Sequence, residues 1–114
     1  QSSPLVKSTD GGQWSSSGIW DCTVPQQSTT QIQINHEIQV LSNITISADI
    51  YIDENGTLII GSGFTLILGS SLDPAILSNL NSIIIEAGGK LIIHGQLIND
   101  PDAVFINLGE LEIH

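Results

Sequence analysis

Along most of the chain an apolar residue is followed by one variable residue and then by another apolar one. The triplets are Ile32-Gln-Ile34, Ile38-Gln-Val40, Ile44-Thr-Ile46, Ile50-Tyr-Ile52, Leu58-Ile-Ile60, Phe64-Thr-Leu66, Ile83-Ile-Ile85, Leu91-Ile-Ile93, Val104-Phe-Ile106 and Leu111-Glu-Ile113. Alternation of period two is the signature of a strand. The segments are too short and too closely spaced for a conventional sandwich. They sort into three series, begun by Ile32, Ile50, Ile83 and Val104, by Ile38, Leu58, Leu91 and Leu111, and by Ile44, Phe64 and Leu97. Within each series the step is about 20 residues, apart from one step of about 33, and a three-sided coil explains all three at once.

The pattern therefore predicts an all-β chain: a short right-handed parallel β-helix, three-sided, with coils of about 20 residues. Ile34, Ile52, Ile85 and Ile106 are expected in one internal column, and Val40, Ile60, Ile93 and Ile113 in another. The long step is attributed to an insertion at 70–82. There Asp73 suits an N-cap and Pro74 a first helical position, and Ile76, Leu77 and Leu80 then share one face. A short helix near 74–80 is the expectation. Glycines at Asn55-Gly56, Gly61-Ser62-Gly63, Gly88-Gly89 and Gly95 fall between triplets, where corners are needed. Residues 1–12 are polar, contain Pro4, and read as a flexible tail. Residues 13–114 form the solenoid domain, with 13–31 as its N-terminal cap. Trp14 and Trp20 are expected to cover the apolar end of the first coil. The last coil, from Val104, fills only two of three sides and is incomplete.

Composition narrows the function. Lys7 and Lys90 are the only basic residues among 114, against 12 acidic ones, for a net charge of −10. Phosphate backbones are bound by cationic side chains, so nucleic acid is not an expected partner, nor is an anionic membrane surface. No apolar run reaches the roughly 18 residues of a membrane span. Cys22 stands alone and allows no intrachain disulfide. It reads as a small buried residue or as the site of an intermolecular disulfide. The chain opens at Gln1 with no signal-like segment, as a processed or trimmed form would.

Trp14-Ser-Ser-Ser-Gly-Ile-Trp20, Pro25, the run from Ile32 to Val40 and the run from Ile50 to Ile60 together resemble the repeats that open β-solenoid regions of large secreted surface proteins. More loosely they resemble the glycine-rich G8 domain of extracellular proteins. Asn35 stands where such repeats often carry glycine. The resemblance implies an extracellular or cell-surface location and a scaffold without catalytic residues or cofactor.

Asp53 and Glu86 fall at one repeat position, a coil apart, as paired carboxylates of a glycosidase would. Asn35 and Asn107 share that position, so the row reads instead as a polar corner ladder. His94 and His114 both follow the second strand of a coil and could share a metal ion, although no third ligand is evident. Asn99-Asp-Pro-Asp102 is a weak calcium candidate that reads more simply as a turn. Asn43-Ile-Thr45 and Asn55-Gly-Thr57 match the glycosylation acceptor pattern. Thr45 and Thr65 align without extending into an ice-binding array.

The middle residue of each triplet should face outward. One face then shows Gln33, Tyr51, Ile84 and Phe105, and another Gln39, Ile59, Ile92 and Glu112. An apolar outer row marks an interaction surface. The expected function is a structural or assembly module, such as a filament, adhesin-stalk or surface-coat segment. Its partner would be a continuing solenoid or another copy. Tyr51, Ile84, Phe105, Leu111 and Ile113 are the expected interface residues. The alternative is a carbohydrate-binding module using Trp14, Trp20 or Tyr51.

Overall fold

A computed structural model describes residues 5–21, 24–25 and 29–114. Almost every described element is a short strand. In chain order they are β1 (Leu5–Lys7), β2 (Gly12–Gln13), β3 (Gln31–Ile34), β4 (Glu37–Val40), β5 (Ile44–Ile46), β6 (Asp49–Ile52), β7 (Thr57–Ile60), β8 (Thr65–Leu68), β9 (Ala75–Asn79), β10 (Ser82–Ile85), β11 (Lys90–Ile93), β12 (Gly95–Asn99), β13 (Val104–Asn107) and β14 (Glu110–Ile113). A single 3-10 turn covers Ser17–Ile19.

The strands stack into three parallel sheets, one per side of the coil. The first runs β1-β3-β6-β9-β12, the second β2-β4-β7-β10-β13, and the third β5-β8-β11-β14. The chain is thus a three-sided parallel β-solenoid. Each ladder pairs a residue with its counterpart one coil away, so side chains of one kind stack in columns. Ile32 sits over Ile50 and Ile50 over Leu77. Ile38, Leu58, Ile83 and Phe105 form a second inner column. Ile44, Leu66, Leu91 and Leu111 form a third. The interior is almost wholly Ile, Leu and Val, and residues such as Ile34, Leu58, Leu68 and Ile85 have no exposed surface. Stiff β-branched side chains fit such a narrow, pleated core without losing much rotamer freedom.

The expectations for residues 70–82 and for the register after them are corrected. Residues 75–79 form strand β9, not a helix, and there is no helical insertion at 70–82. Ala75, Leu77 and Asn79 point inward while Ile76 and Ser78 are half-buried, which is strand alternation. A seven-residue helix has little intrinsic stability, whereas β6 and β12 offer a ladder on both sides. What remains of the insertion is the loop between β8 and β9.

That strand also changes the register of everything after it. Ile83 belongs with Leu58, not with Ile50, and Leu91 with Leu66. The expected inner columns hold only in part. Ile34 aligns with Ile52, Val40 with Ile60, and Ile93 with Ile113. However, Ile85 continues the column of Ile60, and Ile106 is not in an inner column at all. Phe105 pairs with buried Ile83, so Phe105 faces inward, and Val104 and Ile106 face out. Phe64, taken as a strand start, lies at the corner just before β8.

Residues 5–8 are not a loose tail. β1 extends the first sheet by pairing with β3, and Val6 is fully buried. Trp14 and Trp20 are buried together, their rings 5.5 Å apart in an edge-on arrangement. The Trp20 indole N–H donates to the Trp14 carbonyl at 2.8 Å, which satisfies its one polar atom. The pair belongs to the same buried cluster as Val6, Ile19 and Ile32.

Candidate functional site

The two ends of the solenoid differ. At the N-terminal end the tryptophans and β1 cover the core. At the other end, the first, second and third sheets finish on β12, β13 and β14. Among the described residues no strand pairs with the outer edges of these three, and the one backbone bond recorded there runs from the Gly95 N–H, at the start of β12, to His114 O at 3.2 Å. Their inward side chains occupy the same columns as the buried core yet keep surface open. Leu97, Phe105 and Leu111 are only partly buried, and Ile113 is 49% exposed. In the preceding coil Leu91, Ile93 and Ile83 show none. This end is a section through the core.

The outer faces are rearranged by the corrected register. The outward row of the second sheet is Gln39, Ile59, Ile84 and Ile106. That of the third is Thr45, Ile67, Ile92 and Glu112. Tyr51 lies on the first sheet between Gln33 and Ser78, and so on a different face from Ile84. The five expected interface residues therefore divide. Phe105, Leu111 and Ile113 belong to the open end, Ile84 to a lateral apolar row, and Tyr51 to a polar face. Cys22 lies outside the described residues.

Several chemical candidates fall apart in the structure. Asp53 follows β6, where its backbone N–H donates to Ile34 O. Glu86 follows β10, donating to Ile60 O. They stand at different corners of the triangle and are not stacked carboxylates, so the Asn35–Asp53–Glu86–Asn107 row does not exist. Thr45 aligns with Ile67 rather than Thr65. In the Asn99–Asp102 segment, Asp100 accepts from the Asp102 backbone N–H at 3.1 Å and from the Ala103 N–H, an ordinary turn. Among the described residues no group of three or more His, Cys, Asp and Glu side chains is placed to hold one metal ion.

Other arrangements come together. His94 and His114 stack, ring centroids 4.9 Å apart and planes 20° from parallel. Next to them Lys90 reaches Glu112 at 2.7 Å and Glu110 at 3.5 Å. The hydrogen bond and then the charge of Glu112 raise the Lys90 ammonium above its usual range, while the hydrogen bond from Lys90, followed by that from His114, lowers the Glu112 carboxyl. Inside the first-to-second corner, Asn79 is fully buried. Its side-chain amide donates to Asn99 Oδ1 and to Val104 O, and its Oδ1 accepts from the Asn81 N–H. Sequence reasoning missed Asn79 and the Lys90 pair. Asn79 and Asn99, like Lys90 and Glu110, lie about one coil apart, the spacing that exposed the histidines.

Compared with known proteins, the chain matches no family model, no curated sequence and no solved structure.

Proposed function

We propose that this chain is a non-catalytic structural module of an extracellular or surface assembly, working by end-on addition of a further coil. The observation that carries this reading is the open end formed by β12, β13 and β14. Three parallel edges offer backbone donors and acceptors in register, a template for further strands. Beside them, Leu97, Phe105, Leu111 and Ile113 offer an apolar section that another Ile- and Leu-rich coil would bury. The occupant has the same chemistry whether it continues the chain or comes from a second copy. A head-to-tail contact between copies is heterologous and propagates unless it closes. The lateral row of Ile59, Ile84 and Ile106 then supports side-by-side association.

Sedimentation and electron microscopy of the complete natural chain test the proposal. The expected result is either larger species that grow with concentration or a solenoid that continues from His114. Phe105→Asp or Leu111→Pro should abolish the larger species while circular dichroism retains the strand signal. A monodisperse monomer at high concentration, with no further coil, overturns it.

A carbohydrate-binding reading retains one specific support. Tyr51 is 37% exposed and flanked on its face by Gln33 and Ser78, an aromatic platform with polar neighbours. Trp14 and Trp20 no longer contribute, being buried. Glycan-array binding that disappears in Tyr51→Ala would favour this second reading.

A further inference from the structure

We propose that His94 and His114 form a two-histidine site for a divalent transition-metal ion, in the groove they share with the loop between β8 and β9. The register makes the pair. Ile93 stacks with Ile113, so the residues that follow them leave adjacent rungs at the same corner. Parallel rungs lie about 4.8 Å apart, a spacing the backbone imposes whatever the side chains do. The His94 N–H donates to Leu68 O and the His114 N–H to Ile93 O, which holds both Cα positions in that ladder. The imidazole centroids are 4.9 Å apart. Metal–nitrogen bonds of about 2.0–2.1 Å at a tetrahedral angle bring two coordinating rings to a comparable separation, roughly 5 Å. The present stack is not itself the coordinating pose. Rotation about the side-chain torsions aims one nitrogen of each ring at a common point, and His114 has about half of its side chain free to do so.

Two further observations point to a metal rather than to mere stacking. The Glu112 carboxylate lies 3.1 Å from His114 Nε2, and in the neutral tautomer that donates to it from Nε2 the Nδ1 lone pair is the one left for a metal. A carboxylate on the far nitrogen orients a ligating imidazole and strengthens it as a donor. Glu112 is in turn anchored by Lys90 at 2.7 Å. The histidines also line a cavity of about 290 Å³ with Ser70, Ser71, Pro74 and Gly95. That leaves space for waters to complete the coordination sphere. Two imidazoles select intermediate ions such as Ni2+, Cu2+ and Zn2+ over Ca2+ and Mg2+, which take oxygen ligands. His36 is a separate case: its Nδ1 is engaged by Ser8 Oγ at 2.9 Å.

The test is titration of the full chain with Ni2+ and Zn2+. It is followed by calorimetry and by nuclear magnetic resonance of the imidazole signals, with circular dichroism confirming the fold of each variant. The expected result is one ion per chain. Ni2+ should broaden the signals of His94 and His114 together and leave those of His36 sharp. His94→Gln and His114→Gln should each weaken binding at least tenfold, Glu112→Gln by a smaller factor, and His36→Gln not at all. Millimolar Ca2+ should not compete. The proposal is overturned by no binding at millimolar Ni2+, by equal broadening of all three histidines, or by single variants that bind as the parent does.

Discussion

The side-chain amide of Asn79 donates to Oδ1 of Asn99 across 2.8 Å, inside the corner between the first and second sheets. Asn79 is the only fully buried asparagine among the described residues, and it meets three partners there. A buried polar group is tolerated because it is satisfied, and removing it strands the groups it served. Asn79→Ala should therefore destabilise by roughly 1–3 kcal/mol, because Val104 O and the Asn81 N–H both lose a partner. Asn99→Ala, on the exposed side of the pair, should cost less. Urea denaturation of the two variants checks the order.

The apolar columns make a separate prediction. Ile85 lies between Ile60 and Asn107 with no exposed surface. Ile85→Ala should cost roughly 2–5 kcal/mol, since the stacked coils cannot collapse into the cavity. Gln39 is in the outward row, and Gln39→Ala should stay within about 0.5 kcal/mol. Equal melting temperatures for the two would contradict the facing described above.

Two glycines are required by the close approach of neighbouring coils. A Cβ on Gly56 would run into the carbonyl of Ile34, and one on Gly95 into the carbonyl of Ala75, where φ is also +143°. Neither obstacle is a movable side-chain tip. Gly56→Ala and Gly95→Ala should each cost more than about 3 kcal/mol or prevent folding. Gly18 has open space around its Cβ direction, so Gly18→Ala should be neutral. Thermal melts of the three variants separate these outcomes.

The Lys90–Glu112 pair predicts a pH dependence. The Glu112 carboxyl titrates below its ordinary 4.5, so folding favours its ionised form. That contribution is complete above pH 4.5 and is lost as the pH falls through the lowered value. Lys90 is raised from 10.5, so its share is present below 10.5 and is lost as the pH rises through the raised value. The stability difference between the parent and Lys90→Gln should thus be flat near neutrality and shrink towards pH 3. Because the pair is exposed, the difference should be small and should fade in about 1 M salt. Denaturant midpoints measured across pH would reveal a constant difference if the pair contributed nothing.

How much of this was legible depended on local signals. Three series of triplets in steps of about 20 residues announced a solenoid, and within them Ile50 to Ile60 matches Ile83 to Ile93. The same match misled the register, because two neighbouring sides of this coil carry nearly identical strings. β7 and β10 share a side, yet their sequences align best to different ones. Ala75–Asn79 hid for a related reason. Pro74 and Asp73 are genuine helix-start residues, and the strand state of the segment is imposed by ladders that β6 and β12 provide. The burial of Trp14 and Trp20 was readable because large aromatics in an otherwise aromatic-poor chain need cover. The stacked histidines were visible from their spacing alone. Glu112 as the partner of His114 was not, since that contact depends on side-chain direction at a half-exposed corner.

The tryptophan cap has a spectroscopic consequence. Both tryptophans of the chain sit in one coil, at one end of the stack. Tryptophan fluorescence, excited beyond the absorption of Tyr51, therefore reports the melting of that end alone, while far-ultraviolet dichroism averages over every rung. A stack held by nearest-neighbour contacts can fray from either end. Coincident fluorescence and dichroism transitions would mean that the capped and open ends melt together. A dichroism loss that precedes the fluorescence change would time the unzipping from β14 towards the cap.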